Sequence, residues 1–183
     1  TKIIMIGPDE DTVIIESKDE ITAGDGVKKD TILNKGKMAN RTTCNVFDLL
    51  ERHGIVTHFI QSYNPNSFLA YRCEMIPIEV VIRRIAAGSY LKRNPSIKEG
   101  EIFSELIVEF FLKDDAKHDP IIVVKPGRKN WEIRPAKQPI NQGNPMEFMN
   151  PLLSEKEIET IEKTARKVFV ILENAFQQIG IVL

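Results

Sequence analysis

A long amphipathic pattern near the end of the chain limits the possible folds most strongly. Between Ser154 and Gly180, apolar residues recur at helical intervals, which predicts a helix with one buried face. Ser154 and Glu157 have the spacing of a capping box, and Gly180 suits the end of the helix. The apolar positions are Ile158, Ile161, Ala165, Val168, Leu172, Ala175, Phe176 and Ile179. Such a helix needs an apolar layer to pack against.

Runs rich in β-branched residues predict that this layer is a sheet. Residues 2–6 and 12–15 flank a Gly-Pro-Asp-Glu-Asp turn and predict a hairpin. Residues 78–82 form a nearly continuous apolar run, which predicts a strand buried on both faces that ends at Arg83-Arg84. Further strands are predicted at residues 55–60, 68–73 and 106–112. Strands in both halves with helices between them indicate an α+β fold.

Two other helices and one irregular stretch complete the predicted order. Asn34 suits the N-cap of a helix that runs to about His53 and stops at Gly54. A short helix is predicted within residues 86–93, before Asn-Pro breaks it. Residues 125–151 contain five of the ten prolines, which predicts an irregular surface excursion.

Composition narrows the class of protein. The 183 residues include 25 basic and 26 acidic side chains, and this balance argues against a nucleic-acid binder that depends on overall charge. No apolar run approaches a membrane span and no leader opens the chain, so we expect a soluble protein with no membrane partner. Cys44 and Cys73 are expected to be reduced core residues, which suits the cytoplasm. The chain starts without Met and ends in an apolar run, so we expect part of a longer protein.

Four cations lie close together around a small-residue segment. Arg83-Arg84 and Lys92-Arg93 enclose Ala-Ala-Gly-Ser. Small residues let a backbone approach a ligand, and arginine forms planar hydrogen-bond pairs with phosphate or carboxylate. An anionic small molecule would fit here, but composition leaves a solvated basic surface equally open.

Two further segments contain clustered carboxylates. Residues 113–119 contain three carboxylates, two lysines and His118, and a charged turn explains this run better than a metal site does. The Gly-Asp-Gly within residues 22–26 predicts a short polar loop that could present Asp25 to a ligand, and ordinary turn chemistry explains it equally well. No glycine-rich nucleotide motif of the Walker A or dinucleotide type is present.

Three motifs in order resemble those of the phosphoribosylaminoimidazole-succinocarboxamide synthase (SAICAR synthetase) family. They read T-A-G-D-G at 22–26, P-I-E-V-V-I-R-R-I-A-A-G-S at 77–89 and L-K-D-D-A-K-H-D-P at 112–120. The resemblance covers residues 1–183 and implies a two-lobed α+β fold, with antiparallel sheets flanked by helices and a nucleotide cleft between the lobes. It implies a nucleotide-clamping lobe at residues 1–76 and a substrate lobe, incomplete at its C-terminal end, at 77–183.

The resemblance also implies an activity. Members join carboxyaminoimidazole ribonucleotide (CAIR) to L-aspartate in de novo purine biosynthesis, with ATP cleaved to ADP and phosphate. ATP, Mg²⁺ and a homodimer are implied with it. A carboxylate is a poor acyl donor, so ATP would first activate it, plausibly as an acyl phosphate, while cations neutralise the transferring phosphoryl group.

Site residues follow from the resemblance motif by motif. Arg83, Gly88, Ser89 and Asp119 would bind the ribonucleotide, and Asp25 would face the aspartate or metal region. Arg83, Asp119 and Asp25 are thereby the implied catalytic residues.

The implied ATP site uses residues from separate segments. Lys2 would be the last residue of a phosphate loop, Met75 would hydrogen-bond adenine through its backbone, and Lys113 would lie near the nucleotide. The family's later Asp-x-Lys-x-Glu segment and the first Gly-Lys of the phosphate loop are missing, so the metal ligands stay unknown and we expect this chain alone to be catalytically deficient.

Two other functions remain as alternatives. A two-lobed small-molecule kinase would use the same adenine cleft but ignore aspartate. A non-enzymatic RNA-binding or partner-binding module would use the patch from Arg83 to Arg93 and bind nucleic acid with steep salt dependence.

Overall fold

The protein consists of two compact units. A computed structural model describes residues 2–23, 28–125, 127, 129–141 and 144–183. The units are Thr1–Glu74 and Met75–Leu183. The division therefore falls two positions before the boundary that the sequence analysis places after residue 76.

The first unit contains a four-stranded antiparallel sheet and a small hairpin. The sheet has the order β1-β2-β6-β5, and the predicted hairpin of β1 and β2 is confirmed. The strand predicted at 55–60 begins only at Phe59, and Thr22 and Ala23 belong to a strand rather than to a loop. The strands are β1 Lys2–Ile6, β2 Thr12–Ser17, β3 Glu20–Ala23, β4 Lys28–Thr31, β5 Phe59–Asn64 and β6 Ser67–Tyr71, with β3 paired to β4.

One helix covers the sheet of the first unit. Helix α1 spans Lys35–Arg52, and its buried Cys44 packs with Phe59, Phe68 and Ala70. Cys44 is a core residue as predicted, and burial raises the pKa of its thiol. Cys73 is exposed and lies outside any strand, so its predicted core position is wrong.

The start of α1 differs from the prediction. Asn34 is the N-cap residue, but it has a φ of 65° and its side chain makes no capping hydrogen bond. The carboxylate of Asp19 instead accepts from the backbone N–H of Gly36 at 2.7 Å and of Asn34 at 3.1 Å. The free backbone N–H groups at the start of α1 are therefore bound by Asp19, which lies in a segment before β3. Only the tertiary fold brings this residue to the helix. Gly54 ends the helix as predicted, with a φ of 72°.

The second unit is built on a five-stranded antiparallel sheet of order β11-β10-β9-β8-β7. Two of its strands lie within the stretch predicted to be irregular, and β10 there is buried through Trp131 and Ile133. Prolines flank these strands without interrupting them, which is why proline content misled the prediction. The strands are β7 Ile78–Ile85, β8 Ile102–Leu112, β9 Ile121–Val123, β10 Trp131–Arg134 and β11 Glu147–Met149.

The environment of β7 also differs from the prediction. It lies at the edge of the sheet and its residues are half-buried, apart from the exposed Glu79, so burial on both faces is wrong. The strand continues through Arg83 and Arg84 to Ile85. Opposite this end, β8 contains an irregularity, since Arg83 pairs with Ile107 but Ile85 pairs with Ile102.

Strand alternation gives this sheet two different faces. One face is apolar, and helix α3, Glu155–Gln177, packs on it with the capping box of Ser154 and Glu157 formed as predicted. Arg84 ties the helix down by donating to both carboxylate oxygens of Glu173, at 2.8 and 2.9 Å. The core of this face is Leu112, Ile122, Trp131, Ile133 and Leu153, with Ile78, Phe110, Val124, Met149, Ile158 and Ile161 packed against it.

Two short helical segments lie at the strand ends of this unit. Helix α2, Ser89–Arg93, follows β7 as predicted, and a 3-10 turn at Asp115–Lys117 follows β8. Within the described residues, no helix is long and apolar enough to cross a membrane.

Candidate active site

The second face of the five-stranded sheet is charged, and it holds the candidate site. Antiparallel partners point to the same side of a sheet, so the pairing of Glu79 with Phe111, and of Arg83 with Ile107, places these residues on the side of Glu109. We call this the charged face. It is made of Glu79, Arg83, Glu109, Lys113, Glu132 and Arg134, together with the apolar Val81, Ile107, Phe111, Ile121 and Val123.

Glu109 is the centre of an arginine network on the charged face. Arg93 donates from Nη2 to both oxygens of Glu109, at 2.7 and 2.8 Å, and from Nε at 3.2 Å. Arg83 donates from Nε to the Oε2 atom of the same carboxylate at 2.9 Å. The side chain of Arg93 is 0% exposed, that of Glu109 8% and that of Arg83 18%. Two cations share one carboxylate, so the network keeps one net positive charge, and Arg83 is its most accessible member.

The segment after β7 brings the backbone close to Arg83. Arg83 Nη1 lies 3.4 Å from the carbonyl oxygen of Ala87. Gly88 has a φ of 60° and a ψ of −131°, a conformation that residues with a Cβ rarely adopt. An added Cβ at Gly88 would meet no atom within 4 Å, so the requirement is conformational and the Cα faces open space. Ser89 then begins α2. Arg83 therefore contacts the backbone at Ala87, directly before Gly88 and Ser89 in the chain.

The four clustered cations of the sequence do not form a uniform basic surface. Arg84 is bound to Glu173 beneath α3, and the guanidinium of Arg93 is buried against Glu109 and the ring of Phe111. Of the four, only Lys92 is exposed. The structure thus removes the solvated basic surface as an interpretation and leaves a discrete cationic position at Arg83.

Lys113 and Asp119 form a second polar cluster at the end of the charged face. Lys113 Nζ donates to Asp119 Oδ2 at 2.8 Å and lies 3.6 Å from Glu79 Oε2. The hydrogen bond from Lys113 lowers the pKa of the Asp119 carboxyl, and the same bond raises the pKa of Lys113. His118 and Asp119 both have positive φ values, 58° and 47°, which turn the Asp119 side chain back towards Lys113. The charged turn predicted here is present.

Sequence reasoning missed two buried carboxylates of this face. Glu109 lies 16 positions after Arg93, and Glu132 lies in the stretch predicted to be irregular. Burial alone would raise the pKa of Glu132, but hydrogen bonds from Arg134 and Lys125 outweigh it and lower the pKa. Each of these glutamates stands within an apolar strand sequence. A charged residue at such a position is unusual, and it is the sequence signal that could have identified these two carboxylates.

The three remaining predicted residues are Lys2, Met75 and Asp25. No hydrogen bond or ion pair between described residues joins Lys2 or Met75 to the residues of the charged face. Lys2 begins the edge strand β1, and its ammonium lies 6.0 Å from the centroid of the Phe68 ring. Met75 is 83% exposed, and its backbone forms no hydrogen bond with any described residue. Asp25 lies outside the described residues.

The described residues do not supply a metal centre. No group of three or more His, Cys, Asp or Glu side chains within them could hold a metal ion. Asp114 caps the 3-10 turn by accepting from the Lys117 N–H, and Asp119 is bound to Lys113, so neither is arranged as a ligand.

A cavity of about 560 Å³ borders this network at Glu109. Its lining includes Glu109, Tyr90 and Asn94, together with Ile158 and Glu162 of α3, but none of the residues predicted for the ribonucleotide.

Comparisons with known proteins cover the whole chain. A family model described as SAICAR synthetase matches residues 1–183. The phosphoribosylaminoimidazole-succinocarboxamide synthase of Chloroflexus aurantiacus is 46% identical over all of this chain, and that of Roseiflexus sp. is 43% identical. The chain spans 66% of the length of each of these relatives.

Solved structures agree with the sequence comparison. The crystal structure of SAICAR synthetase from Pyrococcus horikoshii matches with a TM-score of 0.82 and 36% identity, over all of this chain and 71% of that one. A SAICAR synthetase in complex with ADP matches with a TM-score of 0.81 and 36% identity, over 68% of its length. The predicted α+β fold with antiparallel sheets is confirmed by these structures.

Proposed function

The chain belongs to the SAICAR synthetase family, and we propose that its protein joins CAIR to L-aspartate, with ATP cleaved to ADP and phosphate. The product, SAICAR, is an intermediate of de novo purine biosynthesis. We place the protein in the cytoplasm as a homodimer, with CAIR and aspartate as its substrates and neither nucleic acid nor membrane as a partner.

The observation that supports this function best is the cationic position at Arg83. CAIR carries a phosphate and a carboxylate, and a guanidinium binds either group through paired hydrogen bonds. Arg83 belongs to a network with one net positive charge and has both N–H groups of Nη2 without a hydrogen bond to any described residue. Gly88 and Ser89 would complete the ribonucleotide site from the adjoining backbone and hydroxyl.

The proposed chemistry has two stages. A carboxylate oxygen of CAIR attacks the γ-phosphorus of ATP, the bond to ADP breaks, and an acyl phosphate forms. The amino group of aspartate then attacks the acyl carbon and loses a proton, and phosphate leaves with the electron pair of its C–O bond. Both stages involve phosphoryl oxygens of high negative charge, which fixed cations stabilise.

Lys113 and Asp119 would act at the nucleotide end of the charged face. Lys113 lies four positions beyond Glu109 along the strand direction, about 13 Å at the usual rise per residue. This separation would let Arg83 hold one end of an extended ribonucleotide while Lys113 lies near the transferring phosphate. The raised pKa of Lys113 keeps it cationic, and Asp119 would hold its ammonium in place or contact the ribose.

The proposed ATP site also uses Lys2 for the phosphates and the backbone of Met75 for adenine. The backbone of Met75 forms no hydrogen bond with any described residue, which suits that role. Mg²⁺ would neutralise the phosphates of ATP, but the described residues form no site for it, so we assign no ligand and derive no step through it. Asp25 keeps its proposed place near aspartate or the metal.

The experiment measures ADP release by the complete protein, with ATP, CAIR and L-aspartate each omitted in turn. Release that needs all three supports the ligase. A steady and undiminished release without aspartate would favour a kinase, and no release with salt-sensitive RNA binding would favour a binding module.

A substitution pair tests the role of Arg83. Arg83→Ala should abolish CAIR use and leave ATP binding unchanged, because the guanidinium is the proposed CAIR contact. Lys92→Ala is the matched control, since it removes an exposed cation from the same segment. Equal activity of the two variants would remove Arg83 from the site.

A further inference from the structure

Glu109 is more than a counter-ion for one buried arginine. Its carboxylate would be neutralised by Arg93 alone, which is fully buried and also donates to the carbonyl oxygen of Ala136 at 2.6 Å. The structure nevertheless adds Arg83 as a second cation to the same carboxylate. Because Glu109 is already paired with Arg93, the second arginine leaves one positive charge without a matching carboxylate. This charge lies at Arg83, the most accessible residue of the network.

The hydrogen bonds fix the direction of each group in turn. Arg93 contacts both oxygens of Glu109, which sets the plane of the carboxylate. An oxygen of a carboxylate has two acceptor positions, and Oε2 uses one for Arg93 and the other for Arg83 Nε. Arg83 uses Nε for this carboxylate and Nη1 for the carbonyl oxygen of Ala87, which leaves Nη2 as the guanidinium nitrogen without a hydrogen bond to any described residue.

We propose that Glu109 is a positioning residue that orients Arg83 for an anionic group of the substrate. This inference rests on the proposed function. The buried Arg93 holds the carboxylate of Glu109 in place, and Glu109 in turn holds the guanidinium of Arg83. Of the three, Arg83 alone contacts the ligand. The ring of Phe111, 5.0 Å from the Arg93 guanidinium, packs against the anchor and limits its movement.

The substitutions separate positioning from stability. Glu109→Gln keeps the shape of the side chain but removes its charge, which leaves Arg93 buried without a counter-ion. Glu109→Asp keeps the charge and withdraws the carboxylate by one methylene, and it serves if the glutamine variant fails to fold. Glu173→Gln is the matched control, since it breaks the Arg84 pair on the opposite face of the same sheet.

Steady-state kinetics of the complete protein provide the measurement. In whichever Glu109 variant folds, KM for CAIR should rise about tenfold, the loss expected for one charge-assisted hydrogen bond, while KM for ATP stays within about twofold. Glu173→Gln should leave both KM values unchanged, because its ion pair lies on the opposite face of the sheet. A rise in KM for CAIR alone is then not explained by a general loss of packing.

A double-substitution cycle gives the decisive test. In the Arg83→Ala background, the Glu109 substitution should not weaken CAIR binding further, because Glu109 acts through Arg83. CAIR binding is measured calorimetrically, at CAIR concentrations high enough to detect the weakened binding of Arg83→Ala, so that the cycle does not depend on turnover. Additive losses, or equal increases in KM for CAIR and ATP, would overturn the proposal. If the unsubstituted protein shows no aspartate-dependent ADP release but binds CAIR with this coupling, the proposed function fails and the positioning role stands.

Discussion

Gly88 provides a direct test of the backbone geometry at the proposed CAIR site. In Gly88→Ala, the added Cβ meets no atom within 4 Å, so steric clash with neighbours contributes nothing. Holding a residue with a Cβ at a φ of 60° and a ψ of −131° costs about 1–3 kcal/mol. The lower entropy of the unfolded chain offsets about 0.4–1 kcal/mol of this. If the native backbone is kept, the free energy of unfolding should therefore fall by roughly 0.5–2 kcal/mol.

Thermal and chemical unfolding measure this loss. For a chain of this length, each 1 kcal/mol corresponds to a decrease in Tm of about 2–4 °C. If the segment instead relaxes to a negative φ, stability is retained, but Ala87 and Ser89 are displaced and KM for CAIR rises. The substitution must produce at least one of these two changes.

Gly54→Ala is the control for Gly88→Ala. Gly54 has a φ of 72° at the end of α1, and an added Cβ there also meets open space. It should lower Tm by a similar amount without changing KM for CAIR. Unchanged stability together with unchanged KM in Gly88→Ala would refute the argument that positive φ requires glycine at this position.

Three other predictions follow from the described contacts. Ile133→Ala should lower the free energy of unfolding by about 2–5 kcal/mol in urea titrations, because Ile133 is fully buried in the core of its sheet. Asp19→Ala should cost about 0.5–2 kcal/mol through loss of the α1 cap, whereas Asn34→Gly should cost almost nothing because that side chain makes no cap; equal losses would refute this assignment. Lys113→Met should raise the pKa of Asp119 towards its ordinary 3.8, as followed by carboxyl NMR. In the unsubstituted protein, the lowered pKa of Asp119 stabilises the fold above pH 3.8, and this contribution is lost as pH falls through the lower folded value; a titration of Asp119 that is the same in both proteins would contradict it.

Local features of the sequence predicted local structure well. The capping box of Ser154 and Glu157 and the apolar spacing after it depend on residues within one or two turns, and α3 begins where they indicate. The hairpin of β1 and β2 has the same origin, because its turn residues lie between its strands.

Features that depend on distant segments were not predictable in the same way. Asn34 has the right residue type for a cap, but Asp19 takes that role from 15 positions away. Cys73 follows closely after the apolar residues of a strand, but β6 ends at Tyr71. The pairing of Glu109 with Arg83 and Arg93 depends on how β8 lies beside β7 and beneath α2, which no local pattern specifies.

The candidate site was therefore predicted in part. The motif at 77–89 singled out Arg83, Gly88 and Ser89, and the structure places Arg83 against Glu109 and beside the backbone at Ala87. The family motif made this choice, since residue type alone could not distinguish Arg83 from its neighbour Arg84 in the same strand. Their roles separate only when the two faces of the sheet are known.

The adjacent arginines of β7 make the strand unusually sensitive to a change in its length. Arg83 lies on the charged face and Arg84 on the face covered by α3. Inserting or deleting a single residue earlier in β7 would exchange these two environments if the preceding pairing were kept. The composition of the strand would hardly change, yet one such mutation would remove both the ion pair that holds α3 and the cation of the proposed ligand site. Length variation in this chain should thus be tolerated far better in the connecting loops than within β7.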